Sequence, residues 1–281
     1  MRISTLAIVG VGLIGGSVAL AARRRGVAGR IVGFDRRSAA LDRALGDGLL
    51  DEAHEQLPRV VADADLVLFC TPVDCIAAQV IEAAGYCRPG TLLTDVGSTK
   101  ANIVRDVSGR LPAGVEFVGS HPLAGSEKHG PAHASANLLE DRLVLVTPTE
   151  DTSDNALSVI RDFWTALGAW VRTMSADEHD RAVALTSHLP HLLSSALAGI
   201  LPPEWCDLTA TGFRDTTRLA AGQPALWSAI FHANQTHVLA ALDRLEAQLH
   251  LFRAALEQGD FAALETLLRQ GKQIRDDLSR A

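Results

Sequence analysis

The chain has 281 residues, 47% of them hydrophobic and 21% charged, a balance that suits a globular protein of one large domain or two moderate ones. A formal net charge of −7 and a pI near 5.8 exclude the basic footprint that nucleic acid or an anionic membrane surface requires. The apolar start at 6–11 is interrupted by glycines and lacks a signal peptide's basic lead, no later run is long enough to span a bilayer, and the four cysteines (Cys70, Cys75, Cys87, Cys206) lack C-x-x-C spacing, so free thiols in a reducing cytoplasm are expected.

The first half alternates short apolar runs with amphipathic stretches, the pattern of a parallel sheet covered by helices. Strands are predicted at 5–9, 30–34, 66–70, 91–94, 116–119 and 143–146, and helices at 13–25, 38–46, 74–84 and 100–107. Their Val, Ile and Leu richness without strict alternation fits strands buried on both faces. A helix at 155–167 and a strand at 170–173 complete the sheet. After about Ser175 the strand signals stop. Long helical runs follow at 224–256 and 261–278, and Val238, Leu242, Leu245, Leu249 and Phe252 recur at helical spacing, so this run should pack against other helices. The predicted fold class is α/β: a Rossmann-type doubly wound sheet over 1–174, then an all-helical C-terminal dimerisation domain over 175–281.

Between the first strand and the first helix stands Gly10-Val-Gly12-Leu13-Ile14-Gly15, a G-x-G-x-x-G turn. Gly10 permits the tight turn, Gly12 the approach of a pyrophosphate, and Gly15 close helix–strand packing, while the helix N-terminus offers free N–H groups to phosphate. The second strand ends at Asp35, about twenty residues past Gly15, where a carboxylate accepts bonds from a ribose. That favours NAD; Arg36 and Arg37 follow directly, so they leave NADP open. Thr71 and Pro72 end another strand at the sheet's carboxyl edge, as nicotinamide-side contacts or as a plain strand stop.

Two loops at later strand ends carry candidate chemistry: Asp95-Val-Gly97-Ser98-Thr99-Lys100 and Ser120-His121-Pro122-Leu-Ala-Gly125-Ser126-Glu127-Lys128-His129. Removing hydride from an alcohol needs a base for the hydroxyl proton, and histidine suits neutral pH, which selects His121. Ser98 fits either a hydrogen bond to the substrate hydroxyl or a helix N-cap. In the second half, Ser187-His188-Leu-Pro190-His191 sets a proline within a helical context, and Arg214 and Arg218 lie on one turn, where a guanidinium is a natural carboxylate partner. The pairs His188/His191 and His129/His133 lack further ligands at metal-binding spacing, so no metal is expected. Lys100 is the candidate base for a rival reading, a dehydrogenase of 3-hydroxy acids.

These segments, in this order, resemble the prephenate and arogenate dehydrogenases of tyrosine biosynthesis: GVGLIGGS, DVGSTK, SHPLAGSEKHG, His179-Asp180, TSHLPH, and FRDTTRLA followed by Pro224-Ala-Leu-Trp227. The resemblance implies NAD-dependent oxidative decarboxylation of prephenate to 4-hydroxyphenylpyruvate, or the same chemistry on arogenate, in a cytoplasmic homodimer. It implies that His121 deprotonates the ring C4 hydroxyl with support from Ser98, that His191 and Arg218 bind carboxylates, and that Glu127 lies at the pocket mouth. Ser187 and Trp227 match pocket positions, Trp227 reaching in from the partner subunit. The chain's length leaves no room for the regulatory domains that some relatives carry, so any tyrosine feedback is expected at the active site.

Overall fold

The computed structural model describes residues 3–124 and 130–278. The strands are β1 (Ile3–Val9), β2 (Ala28–Phe34), β3 (Glu52–His54), β4 (Leu66–Phe69), β5 (Leu92–Asp95), β6 (Glu116–Pro122), β7 (Leu143–Thr147) and β8 (Trp170–Thr173). They form one sheet in the order β3-β2-β1-β4-β5-β6-β7-β8, which is the doubly wound dinucleotide-binding order extended by two strands. Helices α1 (Leu13–Arg24), α2 (Ser38–Gly46), α3 (Leu57–Val61), α4 (Val73–Ala84), α5 (Ala101–Val107) and α6 (Asp154–Ala166) accompany it. Alternate residues of the central strands feed two separate cores. Leu6, Ile8 and Leu68 pack with Val18, Phe163 and Trp164 on one face. Ala7, Val9, Val67 and Phe69 pack with Ile76, Val80 and Ile103 on the other. Both faces are therefore apolar, which is why the strands read as continuous hydrophobic runs.

Four sequence expectations change. β3 and α3 were not predicted, because Glu52-Ala-His54 is a short, polar edge strand and Pro58 interrupts the helical pattern that follows. β7 does not continue the parallel sheet but pairs antiparallel with β6, Ser120 opposite Val146 and His121 opposite Leu145. β6 therefore runs on past its parallel partner β5, which it leaves at Val118, and His121 belongs to a strand instead of the loop after it. The helical run at 224–256 is two helices, α10 (Pro224–Ala233) and α11 (Gln235–Gln258), broken at Asn234. Asn234 leaves helical geometry (φ −118°, ψ 29°), and its amide donates to the Asp180 carbonyl and to His188 Nδ1.

Before that break lie α7 (Ala176–Val183), a wide π turn at Ala184–His188, α8 (Leu189–Gly199) and α9 (Thr211–Thr217). Ser175 caps α7 by accepting the Glu178 N–H. The π turn, in which Leu189 N–H reaches back to the Ala184 carbonyl, has a cause in Pro190. That residue offers no N–H and its ring crowds the preceding turn, so the helix widens instead of ending.

The chain forms two compact units, Met1–Asn234 and Gln235–Ala281. The second is a helix pair, α11 and α12 (Phe261–Leu278), that turns at Gly259 (φ +65°), where Asp260 caps α12 through the Ala263 N–H. Leu239, Leu249, Leu251, Leu256, Leu268 and Ile274 remain exposed along the pair. Among the described residues no helix is long and apolar enough to cross a membrane, and all four cysteines are free.

Candidate active site

At the carboxyl ends of β1, β2 and β4 a cavity of about 270 Å³ is lined by Gly10, Gly12, Asp35, Arg36, Thr71 and Pro72, among others. It lies between β1 and β4, where the strand order reverses. Gly10 has φ +96°, and a Cβ there would sit 2.9 Å from the Cys70 backbone; one at Gly15 would sit 2.3 Å from the Gly10 carbonyl. A Cβ on Gly12, in contrast, would meet nothing within 4 Å. That open space lies at the start of α1, where the N–H groups of Leu13, Ile14 and Gly15 have no intrahelical acceptor. The cradle fits the pyrophosphate of a dinucleotide.

The Asp35 carboxylate is buried but fully engaged. It accepts the Val11 N–H at 3.1 Å, the Arg37 N–H at 3.0 Å, and the Arg37 guanidinium through Nε and Nη2. Burial pushes its pKa up, but the Arg37 and Val11 bonds outweigh that and hold it below the usual carboxylate range. Arg37 thus pairs with the acid, and both it and Arg36 line the cavity.

His121 stands on the carboxyl extension of β6. Its Nδ1 lies 2.9 Å from His179 Nε2, and His179 Nδ1 lies 2.8 Å from Asp180 Oδ1. Asp180 also accepts the N–H groups of Lys100 (2.7 Å) and Ala101 (2.9 Å). Helix α5 is therefore capped by a carboxylate from α7, and the proposed capping role of Ser98 is overturned; its half-buried hydroxyl has no such duty. Lys100 is wholly buried and paired with Asp95, whose oxygens also accept the N–H groups of Gly97 and Ser120. So engaged, Lys100 is a structural tie between β5, β6 and α5, which removes the basis for a lysine-based reading. Ser120 fastens the same strands through the Asp95 carbonyl, Thr94 and the Trp164 indole.

Burial, together with His179, Lys100 and His188, keeps the His121 pKa well below the usual histidine range. Burial also lowers His179, against the pull of Asp180, lowers His191, and pushes His188 down to about 4. Groups whose folded pKa is depressed bind fewer protons folded than unfolded between those values, so stability is lost as pH falls from about 6.5 towards 4. His188 alone should cost about 2 kcal/mol of unfolding free energy between pH 7 and pH 5. Urea unfolding at the two pH values measures this directly. A free energy that stays level or rises at pH 5 would contradict the buried, neutral histidine cluster.

On the helical side, His191 is buried on α8, its ring stacked on Trp227 of α10 at 3.6 Å between centroids. Trp227 thus meets His191 of its own chain. The turn Arg218–Ala221 packs on α8, with Arg218 exposed and, among the described residues, without an ion pair. Ser187 lies half-buried in the π turn. Glu127 and His129 lie outside the described residues. No group of three or more His, Cys, Asp or Glu among the described residues is arranged to hold a metal.

Residues 18–173 match the nucleotide-binding domain of prephenate dehydrogenases, and residues 175–270 match their dimerization domain. The chain belongs to the prephenate dehydrogenase family. It is therefore an oxidoreductase. It is 34% identical to a cyclohexadienyl dehydrogenase of Zymomonas mobilis, over 91% of this chain and 90% of that one. It is 33% identical to a prephenate dehydrogenase of Bacillus subtilis, over 98% of this chain and 76% of the relative. A crystal structure of the Aquifex aeolicus prephenate dehydrogenase, in complex with hydroxyphenyl propionate and NAD+, superposes with a TM-score of 0.92 at 30% identity, covering 99% of both chains. Within this family frame, the residues that sequence reasoning left without a role are His179 and Asp180. The sequence marks them only as a matching pair; their burial with Val183 on α7 shows in the fold.

Proposed function

We propose that the chain oxidises prephenate to 4-hydroxyphenylpyruvate with NAD, releasing the ring carboxylate as CO2. The observation that carries this reading is the placement of His121, hydrogen-bonded through Nδ1, on the same carboxyl edge of the sheet as the dinucleotide cavity, in a chain of this family. The bound nicotinamide supplies the hydride acceptor. The chain's residues supply the rest: His121 takes the ring hydroxyl proton at Nε2, and Ser98 donates or accepts a bond at that hydroxyl. Aromatisation drives the loss of CO2, so the protein need only orient and deprotonate. We assign carboxylate binding to Arg218 and His191, pocket walls to Ser187 and Trp227, and a place at the pocket mouth to Glu127. Cofactor binding falls to residues 1–174, and substrate binding and dimerisation to residues 175–281. The exposed leucines of α11 and α12 support a homodimer, because a lone helix pair cannot bury both its faces.

The Zymomonas relative, named a cyclohexadienyl dehydrogenase, favours a second reading in which arogenate is also a substrate. The two substrates differ by a keto group against a protonated amine, which a single pocket charge distinguishes. Steady-state kinetics with both, followed by nicotinamide absorbance, test the proposal. Absence of turnover with either would end it.

Asp35 in the cavity leads to a prediction on the cofactor. A 2′-phosphate would meet its carboxylate, a like-charge contact that Arg37 offsets only in part. NAD should therefore be preferred by at least about tenfold in kcat/KM, or roughly 1.4 kcal/mol, and Asp35→Ser should erode that ratio. Equal or better kcat/KM with NADP in the unaltered protein would refute the assignment.

A further inference from the structure

We propose that His179 and Asp180 are positioning residues that act through His121, fixing which of its ring nitrogens faces the substrate and receiving the charge that forms there. The inference rests on the reading of His121 as the base, and it follows from a one-way chain of hydrogen bonds. Asp180, as a carboxylate, only accepts. It already takes two backbone N–H groups from α5, so the bond to His179 Nδ1 must use the proton of that nitrogen. His179 Nε2 then carries a lone pair, and at 2.9 Å it accepts the proton on His121 Nδ1. His121 is thereby held as the Nδ1–H tautomer, with the lone pair on Nε2 free for a hydroxyl proton. Neither His179 nor Asp180 is reached by solvent, at 0% and 1% exposure, so no water can substitute for a missing link.

When Nε2 takes the substrate's proton, His121 becomes an imidazolium. Passage of its Nδ1 proton to His179 Nε2 leaves His121 neutral, now protonated on Nε2, and moves the positive charge to His179, against the Asp180 carboxylate. The same carboxylate holds the start of α5, immediately after the turn that bears Ser98. One side chain therefore fixes both the orientation of the base and the position of its hydroxyl partner.

Asp180→Asn tests this by inversion. An amide turned so that its oxygen keeps a backbone N–H presents N–H to His179 Nδ1, which must then accept. His179 donates from Nε2, and His121 is left with its proton on Nε2, facing the substrate. Turnover with prephenate should fall at least about 10²-fold, since a base held in the wrong tautomer loses its function, while KM and NAD affinity by titration change little. Imidazole nitrogen NMR, with the His121 signal assigned by His121→Gln, should show Nδ1–H in the native protein and Nε2–H in Asp180→Asn. His179→Phe keeps the buried volume without the link and should also lower kcat at least tenfold. It serves in place of Asp180→Asn if that variant does not fold. A native His121 protonated on Nε2 would overturn the proposal, as would near-normal kcat in the folded variants. If the tautomers behave as expected but the native protein does not turn over prephenate, the substrate assignment fails and the relay stands.

Discussion

His121→Ala should lower kcat by roughly 10²–10⁴, the span usual for a lost general base, and leave NAD binding nearly unchanged. The separation of effects follows from position. His121 lies on the extension of β6, beyond the last residue that pairs with β5, whereas the dinucleotide cavity is built from the ends of β1, β2 and β4. Among the described residues, no second group is placed to take over. His179 is spent on Asp180 and His121, and Lys100 is buried against Asp95. The low pKa of His121 keeps it neutral and competent through the physiological range. Removing the ring also leaves His179 Nε2 without its partner, a buried vacancy that costs about 1–3 kcal/mol of stability. Kinetics should therefore be run well below the variant's melting temperature. Near-normal turnover under those conditions would mean that His121 is not the base.

Arg218→Ala should raise KM for prephenate roughly tenfold to a hundredfold, with a far smaller fall in kcat. A hydrogen bond to a charged group contributes about 1.5–3 kcal/mol, which corresponds to that range. The effect belongs in KM because an anchor on the side-chain carboxylate holds the ground state and the transition state alike. Lysine should rescue only in part, for it lacks the planar fork that matches a carboxylate. The competing explanation is a structural salt bridge, and the fold offers it little support. Arg218 is exposed and, among the described residues, has no ion pair. Its loss should accordingly leave Tm within about 2 °C of the parent, as is usual for surface substitutions. A lowered Tm with unchanged KM would reverse the assignment.

The doubly wound sheet, the glycine turn and Asp35 were legible in the sequence because each rests on local chemistry. Strand burial on both faces writes continuous apolar runs, a positive φ demands Gly10, and helix–strand contact demands Gly15. His121 was singled out for the same reason, through its residue type at a strand end. Its exact setting was not, since pairing of β6 with β7 depends on a strand more than twenty residues away in sequence. The break at Asn234 escaped helical periodicity because it is set by two tertiary acceptors, the Asp180 carbonyl and His188. Ser98 looked like a cap because the sequence alone could not show Asp180 reaching α5 from another helix. The roles of His179 and Asp180 were hidden in the same way, for a hydrogen-bond chain across 58 residues leaves no periodic trace. Sequence determines what each segment can form and which groups it carries. Which buried polar groups satisfy one another is decided only when the segments pack, because water is then excluded and every donor must find its acceptor within the fold.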